Sequence, residues 1–203
     1  MSDRGEPLRL GVLVSRGGRT AVNLAEQLRR AGTPAVIAIA ILHDPAAPAV
    51  ERLLAAGIPF EVVPAAPPRD LGEAERDDLS DRIDARLLAA RVDLVCLCGY
   101  LRHFRVGARW RGRAINIHPA LLPEFGGKGF HGLHVHRAVL AAGRRESGCS
   151  VHWVDELYDH GEVILQRRCP VEPDDTPESL AARVFAEECL ALPEAVAAIA
   201  AAR

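Results

Sequence analysis

Between Leu8 and Tyr100 the chain enters, four times over, a stretch of strand length that is apolar on nearly every residue: "LRLGVLV", "PAVIAIAIL", "PFEVVP" and "VDLVCLCGY". A strand with one wet face alternates apolar and polar residues, so near-continuous runs belong to strands covered on both faces. What lies between them reads as helix. The glycine turn "SRGGRT" opens an amphipathic segment around Leu24 to Leu28, "PAVERLLAAG" is a short helix ending at Gly57, and Leu71 to Ala90 form a charge-rich helix. Strands alternating with helices predict a parallel sheet with right-handed crossovers, covered on both faces.

The second half has a different rhythm. "SGCSVHWVDEL" and "GEVILQRRCPV" are extended segments joined by the polar turn "YDHG", too short for a crossover helix, so they pair antiparallel. From Thr176 the pattern "TPESLAARVFAEECLALPEAVAAIAAA" sets a capping threonine before a proline at the first helical position. It predicts a long closing helix, with Pro193 as the place for a kink. The fold class that follows is α/β: a doubly wound, mostly parallel sheet with an antiparallel hairpin in its second half. No repeat, linker or composition break divides the chain, so residues 1–203 are expected to form a single domain.

Charge and cysteine usage narrow the class of function. The net charge of −2 suggests neither a disordered tail nor a field for nucleic acid, so small molecules are the expected partners. The amino terminus is polar, without the apolar centre of a signal peptide, and no apolar run approaches the roughly 20 residues a bilayer crossing needs. No membrane partner and a cytoplasmic address are expected. Cys96, Cys98, Cys149, Cys169 and Cys189 are odd in number and lack CxxC spacing, which favours reduced, core-filling thiols over disulfides or zinc. The oligomeric state, monomer or homodimer, stays open.

Four of the eight histidines fall between Ala114 and His136. In "INIHP", residues two apart share a strand face, so Asn116 and His118 project together where Pro119 ends the ladder, the end at which open α/β sheets collect ligands. An amide N–H and an imidazole aimed at one point suit a developing oxyanion. The same triplet also occurs simply facing water. Asp159, in "YDHG", is placed to stand near that strand end without being buried, and a carboxylate there would raise the imidazole's pKa and favour the cation. It is equally an ordinary turn former.

No serine or cysteine sits in a nucleophile elbow, so the substrate's own amine is the expected nucleophile. His131, His134 and His136 lack a metal-ligand spacing, so no metal is expected, and His134 is read as facing the site. The turn "SRGGRT" offers backbone N–H groups, the Thr20 hydroxyl and a helix opening, with Arg16 or Arg19 for charge. These are the parts of a phosphate cradle, or of a turn that merely lets a helix pack closely.

Taken in order, "GVLVSRGGRT", "LCGYLR", "GRAINIHPALLPEFGG", "GLHVHRAVLAAG", "ESGCSVHWVDELYDHGEVILQ" and "PVEPDDTPESLAARV" resemble the folate-dependent formyltransferases over nearly the whole chain. The resemblance implies a formyltransferase-like, Rossmann-related fold. It also implies direct transfer of a formyl group from 10-formyltetrahydrofolate, as co-substrate, to an amine. Position by position, the family's catalytic asparagine, histidine and aspartate fall on Asn116, His118 and Asp159. Asn116 and a protonated His118 would hold the oxyanion. Gly17, Gly18, Arg19 and Thr20 would hold the ribose phosphate of glycinamide ribonucleotide, and Glu188 its ribose hydroxyls or amine side. Leu101, Arg102 and His103 would line the pterin pocket through their backbone, with Asp155 to Asp159 as the opposite wall.

The chain departs from the family pattern in places. "SRGGRT" stands where a Ser-Gly-x-Gly-Ser-Asn loop is usual, Lys128, Gly129 and their neighbours lengthen the loop between "LLP" and "HVH", and His160 and Glu162 replace a glycine and a proline. Length and the phosphate turn favour the nucleotide over methionyl-tRNA or formyl-folate hydrolysis. An amino sugar nucleotide as the amine, or a folate- or nucleotide-binding module without chemistry, are the alternatives.

Overall fold

The computed structural model describes residues 5–67 and 70–203. Its elements follow the chain as β1 (Leu8–Leu13), α1 (Arg19–Ala31), β2 (Ala35–Leu42), α2 (Ala49–Ala55), β3 (Phe60–Val62), α3 (Glu73–Ala89) and β4 (Leu94–Leu97). Then come α4 (Gly107–Trp110), β5 (Ala114–His118), α5 (Leu133–Ala141), β6 (Glu146–Trp153), β7 (Val163–Pro170) and α6 (Pro177–Ala201). The strands form a seven-stranded sheet in the order β3-β2-β1-β4-β5-β6-β7. This is the doubly wound, mostly parallel architecture with an antiparallel end. The described residues fall into two compact units, one reaching to Arg105 and taking in Ile199–Arg203, the other Val106–Ala198.

In the first unit β1 pairs parallel with both β2 and β4, and β2 pairs parallel with β3. All four residues of β4 and nearly all of β1 are buried, which is why their sequences do not alternate. Helices cover them with residues three or four apart: Ala21, Leu24 and Leu28 from α1, and Leu79, Ile83 and Leu87 from α3. Gly11 lets α3 come that close, because a Cβ there would lie 2.4 Å from a Leu87 methyl. At the carboxyl ends of the strands, His43 Nδ1 donates to the Val63 carbonyl at 2.8 Å and Nε2 meets the Tyr100 hydroxyl at 3.0 Å.

In the second unit β5 pairs antiparallel with β6, and β6 antiparallel with β7. The β6–β7 hairpin turns where only glycine fits, since a Cβ on Gly161 would lie 1.9 Å from the Trp153 carbonyl oxygen. Thr176 caps α6 as expected, with its Oγ1 accepting the Ser179 N–H at 3.2 Å, and the helix continues through Pro193 unbroken. The short α4 had no sequence signal. No helix among the described residues is long and apolar enough to cross a membrane.

Candidate active site

The register of β5 against β6 sets Asn116 opposite His152 and His118 opposite Ser150, so four polar side chains share one face of the second unit. The Asn116 amide nitrogen lies 3.2 Å from Asp159 Oδ1 and 3.1 Å from His152 Nε2. His118 Nδ1 lies 3.3 Å from Asp159 Oδ2. Asn116 and His118 of β5 therefore meet Asp159 from the turn between β6 and β7. His152 joins them unforeseen. Its only early trace is the two-residue spacing of Ser150 and His152 in "SVHW", which acquires meaning once β6 is known to lie against β5.

Two expectations about Asp159 and His118 need correction. The carboxylate is not left open at the hairpin tip: only 11% of its side chain is exposed, because the loop ahead of α5 lies on it, with the Gly127 N–H donating to Oδ2 at 3.0 Å. Nor is the His118 pKa raised on balance, although Asp159 acts in that direction. Burial pushes it below its ordinary value and outweighs both Asp159 and the Phe125 carbonyl, so the resting imidazole is neutral at pH 7. For Asp159 burial acts upward, but the surrounding donors and imidazoles overcome it and hold the carboxylate below its usual range. His118 Nε2 is 2.8 Å from the Phe125 carbonyl, so that nitrogen carries the single proton and Nδ1 faces the carboxylate without one. The pair is thus one proton short and ready to receive it.

The loop that closes the site is held firmly. Phe125, with φ +56°, and Asp159, with φ +53°, both occupy the left-handed region, at a cost of about 1–3 kcal/mol each. Below them Ser150 Oγ donates to the Ala120 carbonyl at 2.7 Å and accepts the Leu122 N–H at 3.0 Å. Gln166 donates to both Ser150 Oγ and the Leu122 carbonyl, each at 2.9 Å.

The other predicted residues divide between the units. In the first, Gly18 (φ +72°) is the left-handed residue ahead of α1, and Gly17 holds out its carbonyl to Arg52 at 2.5 Å, with Arg19 exposed and Thr20 half-buried. The Leu101 N–H donates to Ser15 Oγ at 2.8 Å. Arg102 donates to the Ala66 carbonyl at 2.8 Å while its Nη1 is buried without a partner, and His103 is exposed. In the second, Glu188 is half-buried on α6, and its charge helps raise the buried Cys149 thiol to about 12, after burial itself. Asp155 accepts from His160 at 2.8 Å and from the Leu157 N–H at 2.8 Å. His134 is exposed, edge-on to His131 at 5.5 Å, whereas His136 is the buried one, with Nδ1 unpartnered. Among the described residues no cluster of three or more histidine, cysteine or acidic side chains is placed to hold a metal ion.

An amide, an imidazole and a carboxylate thus meet beside a strand end of this fold. The chain belongs to the formyl transferase family, whose model matches residues 8–196. It is 38% identical over 193 residues to the trifunctional purine biosynthetic protein adenosine-3 of Drosophila melanogaster, covering 93% of this chain and 14% of that protein. It is likewise 38% identical over 182 residues to the chloroplastic phosphoribosylglycinamide formyltransferase of Vigna unguiculata, covering 89% and 57%. The chain thus spans less than two thirds of either curated relative. The solved structure of glycinamide ribonucleotide transformylase 1 from Symbiobacterium toebii superposes with a TM-score of 0.86 at 34% identity, covering 98% of this chain and 91% of that one.

Proposed function

We propose that this chain transfers the formyl group of 10-formyltetrahydrofolate to the amine of glycinamide ribonucleotide, a step of de novo purine biosynthesis. The observation that carries the reading is the meeting of Asn116, His118 and Asp159 within hydrogen-bond reach in a member of the formyl transferase family. Its likeness to a phosphoribosylglycinamide formyltransferase and a glycinamide ribonucleotide transformylase supports the amine.

In the proposed reaction the amine attacks the formyl carbon, forming a new C–N bond while the carbonyl pair moves onto oxygen. The amine's proton passes to the proton-deficient His118–Asp159 pair. The resulting imidazolium donates to the oxyanion, with Asn116 beside it, and the proton then goes to folate N10 as the C–N10 bond breaks. Tetrahydrofolate and the formylated nucleotide leave. Neither a metal nor a covalent enzyme intermediate takes part.

Gly17, Gly18, Arg19 and Thr20 are assigned to the ribose phosphate, with Glu188 and His134 for its remaining polar groups. Leu101, Arg102, His103 and Asp155 are assigned to the folate. The whole chain is read as one functional formyltransferase domain. Five free cysteines fit a reducing, cytoplasmic setting. The test is to follow 10-formyltetrahydrofolate consumption by absorbance with glycinamide ribonucleotide and, separately, with an amino sugar nucleotide. Faster turnover by at least tenfold with the former is expected. Preference for the amino sugar would move the assignment of the amine, and tight folate binding by calorimetry without transfer to either would overturn the catalytic reading.

A further inference from the structure

The Asn116 amide is turned in a direction that the sequence does not foretell. Its nitrogen faces two acceptors, Asp159 Oδ1 at 3.2 Å and His152 Nε2 at 3.1 Å. A carboxylate oxygen can only accept, so the amide end beside it is the donor end. His152 agrees: its Nδ1 lies 2.8 Å from the Trp153 carbonyl, an acceptor that requires a ring proton on Nδ1, so when the ring is uncharged its Nε2 offers a lone pair. His152 is 2% exposed, which fixes that ring in place. The amide's carbonyl oxygen makes no hydrogen bond among the described residues, and it is not among the side-chain atoms sealed in the interior without a partner. It is the end left for a ligand.

We propose that His152 is a positioning residue that, with Asp159, holds the Asn116 amide nitrogen inward, so that Asn116 meets the substrate with its carbonyl oxygen and accepts an N–H of the attacking amine. An amine acting as nucleophile needs its lone pair aimed at the formyl carbon, and an acceptor on one of its N–H bonds sets that angle. Donation to the oxyanion then falls to His118. The orientation of the amide is independent of the proposed reaction, while the contact to the amine rests on it.

Asn23 and Asn116 are the only asparagines, so the full chain labelled with 15N-asparagine shows two side-chain amide pairs, and loss of one in Asn116→Ser assigns it. In the wild-type protein both Asn116 protons are expected to be displaced from the shifts of asparagine in a short unstructured peptide. In His152→Leu one of them should return toward the free position, and in His152→Gln, which restores an acceptor, it should stay displaced. Turnover should follow: a loss of kcat of about 10- to 100-fold in the leucine variant with folate KM within about twofold, largely recovered by glutamine. Thermal melting confirms that each variant folds. An Asn116 pair unmoved in a folded His152→Leu would overturn the positioning role, even if the chain transferred no formyl group at all. Transfer intact in that variant with the amide demonstrably released would overturn the contact to the amine.

Discussion

Three groups converge on the two carboxylate oxygens of Asp159: the Asn116 amide on one, the His118 ring and the Gly127 N–H on the other. Replacing that oxygen pair by an amide in Asp159→Asn removes the charge but keeps the shape. Turnover is expected to fall by about 10² to 10⁴, measured by steady-state kinetics alongside a melting curve that shows the fold retained. A second expectation concerns His118. Burial lowers its pKa, so the ring protonates only below its ordinary 6.5, and the proposed reaction begins from the neutral ring. The acidic limb of kcat/KM against pH should therefore lie below 6.5; a limb at or above that value would contradict the assignment. Asn116 and His118 were legible because a strand repeats every two residues, and Asp159 because turns favour aspartate. His152 was not, since nothing in a single sequence says which residue of β6 lies opposite Asn116.

At the scale of elements, the apolar runs announced β1, β2, β3 and β4, and the polar turn announced the β6–β7 hairpin. The loop between Pro119 and Gly132 was beyond such reading, because it is secured by main-chain groups: the Phe125 carbonyl, the Gly127 N–H, the Ala120 carbonyl and the Leu122 N–H. Such groups are the same in every residue and leave no mark in a sequence. Ser150 is the exception that can be tested. Ser150→Ala strips partners from Ala120 and Leu122 at once, and should cost about 1–3 kcal/mol in a denaturant titration, with Gln166 unable to replace both contacts. A loss under a few tenths of a kcal/mol would show that water takes the hydroxyl's place.

Across the whole molecule, His43, His118 and His136 are buried and, chiefly through burial, each titrates below its ordinary 6.5. The unfolded chain takes up protons on these rings as pH falls below 6.5, while the fold resists doing so. Their effect on stability is nil above that pH, and stability is lost progressively below it until the folded values are reached. Melting temperatures should accordingly stay level from pH 8 to 7 and decline from 6.5 toward 5. His43 is none of the three residues assigned to the chemistry, so His43→Gln should shallow that decline while the acidic limb of turnover, assigned to His118, stays where it is. An unchanged decline would remove His43 from the account.

The bond from His118 to the Phe125 carbonyl also bears on how a catalyst ranks its guests. On the proposed reaction, an arriving formyl oxygen must take over a proton already shared with a peptide oxygen, and two neutral carbonyls compete for it on nearly equal terms. Once the formyl oxygen turns anionic the contest is uneven, because a charged acceptor bonds about twice as strongly. A rival built into the polypeptide thus discounts the ground state and leaves the fleeting, charged species as the preferred occupant.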